Sequence, residues 1–225
     1  MLARCLVIVG LFMAALPRFA GAEEAVKIGN AYALLNKAGS GRVGLILIPG
    51  GSGVLNVQPN GTFNSGELNQ LVRTRKDYLA SGITTLTIDV GVDPAEAVTY
   101  LRKLTPVVVV AGTSRGTLRV PKSLPAKPDA IVLTSGLLGD VRGMIGSPSN
   151  LPSTLIVHHR QDGCRVTLPS GVEPFKTWGG AKVKVVWLDG GTFGADLCGN
   201  QSHHGFLGLD GQVVSTVAQF VKSVK

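Results

Sequence analysis

Residues 107–117 read VVVVAGTSRGT. Four valines and an alanine run without a polar interruption into Gly112-Thr113-Ser114-Arg115-Gly116. A strand that is apolar on both faces belongs in a parallel sheet covered by helices on both sides. A serine between two glycines at the end of such a strand has two readings. One is a tight turn. The other is a nucleophile on a sharp strand-to-helix turn, where the glycines let the two backbones pass closely. In a chain with 30 glycines the G-x-S-x-G pattern is weak by itself. Its context carries the weight.

The flanking segments supply that context. Residues 42–49 (RVGLILIP), 83–88 (ITTLTI), 106–111, 130–133, 154–159 (TLIVHH) and 182–188 (KVKVVWL) read as strands. Residues 67–80 carry Leu68, Leu71, Val72, Tyr78 and Leu79 at near-helical spacing, with Gly82 behind them as a C-cap. Asp93-Pro94 sets an N-cap and a proline at the first helical position, before a helix running through Leu104. A short helix is expected after Gly116, a weak one over 169–178 and an amphipathic one over 212–224. This alternation predicts an α/β fold, a mostly parallel central sheet with helices on both faces. Three longer irregular pieces, 50–66, 136–152 and 189–210, each follow a strand. Ligands bind beyond the carboxyl ends of parallel strands, so all three are candidates for the site.

A serine at neutral pH needs a base, and the base needs an orienting acid. On this architecture they follow in the order serine, acid, histidine. Asp162 lies just after the strand TLIVHH. Asp189 and Asp196 follow one strand later, and Asp89 precedes the serine, so all three are weaker candidates. Of the four histidines, His158 and His159 belong to a strand, whereas His203 and His204 lie in the loop before the last helix. The base is one of that second pair. The early strand 42–49 runs into Pro49-Gly50-Gly51-Ser52-Gly53. The backbone N–H groups of Gly51 or Ser52, with that of Arg115, are the expected oxyanion donors. Taken alone, PGGSG reads equally as a flexible loop, and it lacks the lysine and spacing of a phosphate-binding P-loop.

Residues 1–22 read as a secretory signal peptide. Arg4 precedes the apolar run 6–16, Pro17 breaks it, and Ala20-Gly21-Ala22 offers small residues for cleavage before Glu23. The alternative is an uncleaved anchor, for which the run is short. Residues 23–225 then form a single periplasmic or secreted domain. Losing the leader removes Arg4 and Arg18 and leaves a formal charge of +6. The basic residues are scattered and aromatics make up only 5% of the chain. That pattern speaks against nucleic-acid binding, and no other stretch reads as a membrane span. Cys5 departs with the leader, and Cys164 and Cys198 remain. In an exported chain two cysteines favour a disulfide, with two buried thiols as the alternative. Neither has a second cysteine at metal-ligand spacing. The bridge would tie the loop of Asp162 to that of His204, closing about 35 residues for roughly 4 kcal/mol in the chain-entropy model.

Taken together, PGGSG, LVRTR, GTSRGT, HHRQDGC and HHGFLG resemble, in that order, the small secreted or periplasmic bacterial α/β-hydrolases. The resemblance spans about residues 45–210. It implies Ser114, Asp162 and His204 as a catalytic triad, since the family's base directly precedes Gly-Phe, and it leaves His203 as the runner-up. It implies no metal or cofactor. The cap domain of larger hydrolases is missing. Only residues 136–152 are available for a flap, with Leu137, Leu138, Met144 and Ile145 as its apolar face, and an ordinary surface loop is the plainer expectation. Arg115 is expected to meet a structural carboxylate, or else an anionic group of the substrate. The implied activity is hydrolysis of a small ester-like molecule; thioesters, lactones and short amides share the geometry. The competing class is a ligand- or protein-binding member of the same fold without catalysis.

Overall fold

The computed structural model describes residues 23–39 and 41–225. The signal peptide expected over 1–22 lies outside them. Eight strands form one sheet: β1 (Glu24–Ile28), β2 (Ala31–Asn36), β3 (Val43–Ile48), β4 (Ile83–Ile88), β5 (Val107–Thr113), β6 (Ala130–Thr134), β7 (Ser153–His159) and β8 (Val183–Leu188). Their order is β1-β2-β4-β3-β5-β6-β7-β8. β2 is antiparallel to both neighbours, and every pairing from β4 to β8 is parallel. The helices are α1 (Gln70–Arg73), α2 (Pro94–Arg102), α3 (Leu138–Ile145), α4 (Val172–Gly179) and α5 (Asp210–Ser223).

Alternation along the apolar strands builds two cores. Ile46, Ile48, Val108, Val110, Ile131, Leu133 and Ile156 face α2, α3, α4 and the segment after Ser114. Leu45, Leu47, Val109, Ala111, Val132, Leu155 and Val157 face Leu71, Tyr78 and α5. Helices therefore cover both faces, and the C-terminal ends of β3, β5, β7 and β8 open on one edge of the sheet.

Two local expectations need correction, one gains detail, and one element was missed. The β1–β2 hairpin was not read from the sequence. It turns on Gly29-Asn30, with Gly29 at φ 58 and Ile28 paired to Ala31. The helix expected over 67–80 is two pieces, α1 and a 3₁₀ helix Asp77–Ser81. Asn69 caps α1, and the Thr74 hydroxyl donates to the Gln70 carbonyl at 2.7 Å, which ends the helix after one turn. Gly82 does close the second piece, at φ 72. The segment from Ser114 to Ala126 is a 3₁₀ helix, because Pro121 and Pro125 cannot donate to an α-helical ladder. Residues 136–152 are neither flap nor loop. They hold α3, a crossover helix that buries Leu138, Val141 and Ile145.

Candidate active site

β5 lies between β3 and β6 in the middle of the sheet, and Ser114 follows its last residue. Ser114 sits at φ 51. A non-glycine residue held there costs about 1–3 kcal/mol and persists only where the surroundings enforce it. They do so here by proximity. A Cβ at Gly116 would overlap the carbonyl oxygens of Ile48 and Pro49, and one at Gly112 would lie 2.7 Å from Val120 Cγ2 and 2.9 Å from the Gly116 oxygen. Gly116→Ala therefore has to push the segment after Ser114 away from β3. We expect it to destabilise the chain by about 1–3 kcal/mol. A urea midpoint equal to that of the unsubstituted protein would refute the close-approach argument.

Asp162 follows β7 and is 2% exposed. Its Oδ1 accepts the Cys164 N–H at 2.9 Å. Its Oδ2 accepts from the Thr167 hydroxyl at 3.1 Å and lies 3.0 Å from His204 Nδ1. His158 Nε2 approaches the same oxygen at 3.4 Å, but neither ring nitrogen of His158 is in hydrogen-bond geometry. That contact is electrostatic rather than a formed bond. Burial alone would raise the Asp162 pKa. Contacts from His158 and His204 and the Cys164 N–H outweigh burial and hold the carboxyl well below the usual carboxylate range. An ionised Asp162 can only accept, so Nδ1–H of a neutral His204 donates to its Oδ2 and Nε2 is left as the unprotonated nitrogen.

The neighbouring histidine is occupied elsewhere. His203 stacks on His159 with ring centroids 4.2 Å apart and has Phe193 beside it at 5.7 Å. The other carboxylates are also accounted for. Asp189 pairs with Arg160, Asp196 accepts the Cys198 N–H, and Asp89 pins the loop after β3 through Leu55 N–H and Val57 N–H.

Ser114 and His204 line one cavity of about 340 Å³, together with Pro49–Ser52, Asn69, Arg115, Cys164, Cys198 and Asn200. Loops 50–66 and 189–210 thus contribute to it and loop 136–152 does not. Gly51 stands at φ 64 on the rim. Among the described residues, the Gly51 and Ser52 N–H groups donate to no protein acceptor. The Ser52 hydroxyl accepts from Val54 N–H. Arg73, Arg75, Arg102 and Arg160 each find a carboxylate. Arg115 is exposed and has no such partner among the described residues, contrary to the structural role expected for it. Cys164 and Cys198 form a disulfide that joins the Asp162 loop to the His204 loop.

The arginines of LVRTR prove architectural. Arg73 forms two bonds to Asp210 at 2.7 and 2.8 Å, and donates to the carbonyls of Leu68 and Gly205. It therefore locks α1 to the residue that follows His204. Arg75 grips Glu23 and lies over Phe63. Sequence reading missed Thr167, His158 and Asn69 at the site. Asn69 falls inside the helical pattern read over 67–80, so its place as a cap ahead of α1 was hidden by that reading.

No protein-family model matches the chain, and no curated protein matches it by sequence. Solved structures do match by shape. A dienelactone hydrolase from Anabaena variabilis superposes with TM-score 0.65 at 17% identity, over 91% of this chain and 99% of its own. An esterase from Pyrococcus furiosus gives 0.64 at 14% identity, over 95% and 98%. An α/β serine hydrolase without a lid from Xanthomonas campestris gives 0.57 at 13% identity, over 93% and 95%. The chain has the α/β-hydrolase fold. On that fold Ser114 occupies the strand-to-helix turn after the central strand, and the bridge Cys164–Cys198 spans two of the loops at the sheet's C-terminal edge.

Proposed function

We propose that the chain is an exported serine hydrolase that cleaves a carboxylic ester, with thioesters and lactones as chemically equivalent substrates. One observation carries this reading. A serine at φ 51 after the central strand shares a cavity with His204, whose Nδ1 faces a buried Asp162 at 3.0 Å. In this reading Ser114 Oγ attacks the carbonyl carbon while His204 Nε2 takes its proton. The backbone N–H groups of Gly51 or Ser52 and of Arg115 receive the oxyanion. The carbon–oxygen bond to the leaving group breaks, and the alcohol leaves with the proton from His204. Water then attacks the acyl carbon and gives a proton to His204; the bond from that carbon to Ser114 Oγ breaks, His204 returns the proton to Oγ, and the acid leaves. Asp162 holds the imidazole tautomer throughout. The disulfide supports export, since such bonds persist in oxidising compartments, and residues 23–225 are then the mature domain.

The test is labelling of the mature protein with a fluorescent fluorophosphonate, which forms a stable adduct only with an activated serine. We expect an adduct on the wild type, none on Ser114→Ala, and none on His204→Ala. Labelling that survives in His204→Ala and vanishes in a His203 variant would move the base to His203. A folded wild type that stays unlabelled would overturn the reading in favour of a binding protein on this fold.

A further inference from the structure

Asn69 has no task in the scheme above beyond capping a four-residue helix, and its geometry asks for more. The residue is 6% exposed. Its Oδ1 accepts the Leu71 N–H at 3.2 Å. Only the carbonyl end of the carboxamide can accept that bond, so the NH₂ end is fixed facing the other way. Among the described residues no protein acceptor takes a hydrogen bond from Nδ2. The side chain is held in place and lines a cavity, so its unpartnered Nδ2 is a donor free for a ligand that the chain does not supply.

Its neighbours say what that partner is. Asn69 lines the same cavity as Ser114, His204, Gly51 and Ser52. A Cβ built on Gly50 would lie 2.9 Å from Ser114 Cβ and 3.5 Å from Asn69 Nδ2. The nucleophile and the amide therefore flank one point, above the loop whose Gly51 and Ser52 N–H groups are also without protein acceptors. The position is stiff. The first turn of α1 carries the cap bond, and Arg73 ties α1 to Asp210 and to the carbonyl of Gly205, next to His204. A donor held this firmly does not have to reorganise when charge develops, which is the property that makes an oxyanion site effective.

We propose that Asn69 is a catalytic residue whose Nδ2 donates a hydrogen bond to the oxyanion formed when Ser114 attacks the ester carbonyl. This rests on the hydrolase reading above and adds a side-chain donor to its backbone donors. Because the bond tightens as negative charge appears, its loss acts on kcat rather than on KM.

The test separates capping from catalysis with two variants that keep the cap. Asn69→Asp retains the oxygen for Leu71 N–H and replaces the donor with a second oxygen. Asn69→Ser retains a neutral capping oxygen and removes the amide. Hydrolysis of p-nitrophenyl acetate and butyrate is measured beside thermal melting. We expect kcat to fall about 10²–10³-fold in both variants, as for loss of one oxyanion donor. KM is expected to stay within about three-fold, and the melting temperature within about 3 °C because the cap is kept. Variants that turn over within about three-fold of wild type, or that lose only in KM, would overturn the role of Asn69 and leave the hydrolase standing. A wild type inert toward both esters and toward the fluorophosphonate would overturn the hydrolase reading, and Asn69 with it.

Discussion

On the proposed serine-hydrolase mechanism, Asp162→Asn is expected to lower kcat for an ester substrate by about 10⁴-fold while the chain stays folded. The reason is the tautomer. In the native site an ionised Oδ2 lies 3.0 Å from His204 Nδ1 and draws the ring proton to that nitrogen. An asparagine presents an N–H₂ group on one side of its carboxamide. Cys164 N–H can only donate and it bonds Oδ1, so the new amide oxygen takes the Oδ1 position, while the Thr167 hydroxyl at the other position can turn to accept. The NH₂ end then faces His204, Nδ1 becomes the acceptor, and the proton moves to Nε2. A protonated Nε2 cannot take the proton of Ser114. The measurement is kcat on p-nitrophenyl butyrate with circular dichroism as the control for folding. An Asp162→Asn protein within ten-fold of wild type would remove Asp162 from the mechanism.

The same variant has a signature in stability. The Asp162 carboxyl is held below its ordinary value of 3.8, so the folded chain binds this proton more weakly than the unfolded chain does. Stability then rises with pH across that window. The contribution is complete above the unfolded value and is lost as pH falls through the folded one. Asp162→Asn deletes it. Urea midpoints taken between pH 7 and pH 2.5 should therefore fall less steeply below about pH 4 in the variant than in wild type.

The central strand and its turn were legible in the sequence because their causes are local. An unbroken VVVVA run has no polar face to expose, and the serine between glycines answers a steric demand of the turn itself. The Asp93-Pro94 start of α2 was legible for the same reason, since the Asp93 carboxylate takes the N–H groups of Ala95 and Glu96. The choice between His203 and His204 was not local. Phe206, two residues on, is fully buried at φ 57, and burying it turns His204 inward and leaves His203 stacked on His159. Order along the chain left both histidines open, and only the Gly-Phe resemblance favoured one. α3 was hidden because Gly139 and Gly143 interrupt it and Gly146 ends it, although Leu138, Val141 and Ile145 keep helical spacing. Packing against the 3₁₀ segment overrides that poor propensity. The β1–β2 hairpin had a signal in Gly29-Asn30 between two short alternating runs, and that pattern is sufficient without tertiary knowledge. Thr167 had none, since a buried hydroxyl shared by Asp162 and His204 depends wholly on how the two loops meet.

Those loops are held together by the bridge, and cutting it is expected to have the largest effect on stability. Cys164–Cys198 closes a separation of 34 residues that contains β8, α4 and most of the irregular stretch before His204. Loop-closure entropy for such a length is roughly 4 kcal/mol, and measured losses on removing a native disulfide run about 2–5 kcal/mol. For a chain of this size each kcal/mol is worth about 2–4 °C in melting temperature. The double variant Cys164→Ala, Cys198→Ala should accordingly melt about 5–15 °C lower. Activity should suffer beyond stability. The backbone of Cys164 donates to Asp162, so the bridge fixes that side chain directly. Between β8 and α5 the loop of His204 has no regular element of its own to hold it. With the bridge gone, the Asp162–His204 contact relies on the Arg73 clamp at Gly205 and on the burial of Phe206. Assayed well below its new melting temperature, the double variant should show a lower kcat, and a reductant should bring wild type to the same level. A variant that melts lower yet turns over at the wild-type rate would assign the bridge to stability alone and leave the positioning of His204 to Arg73.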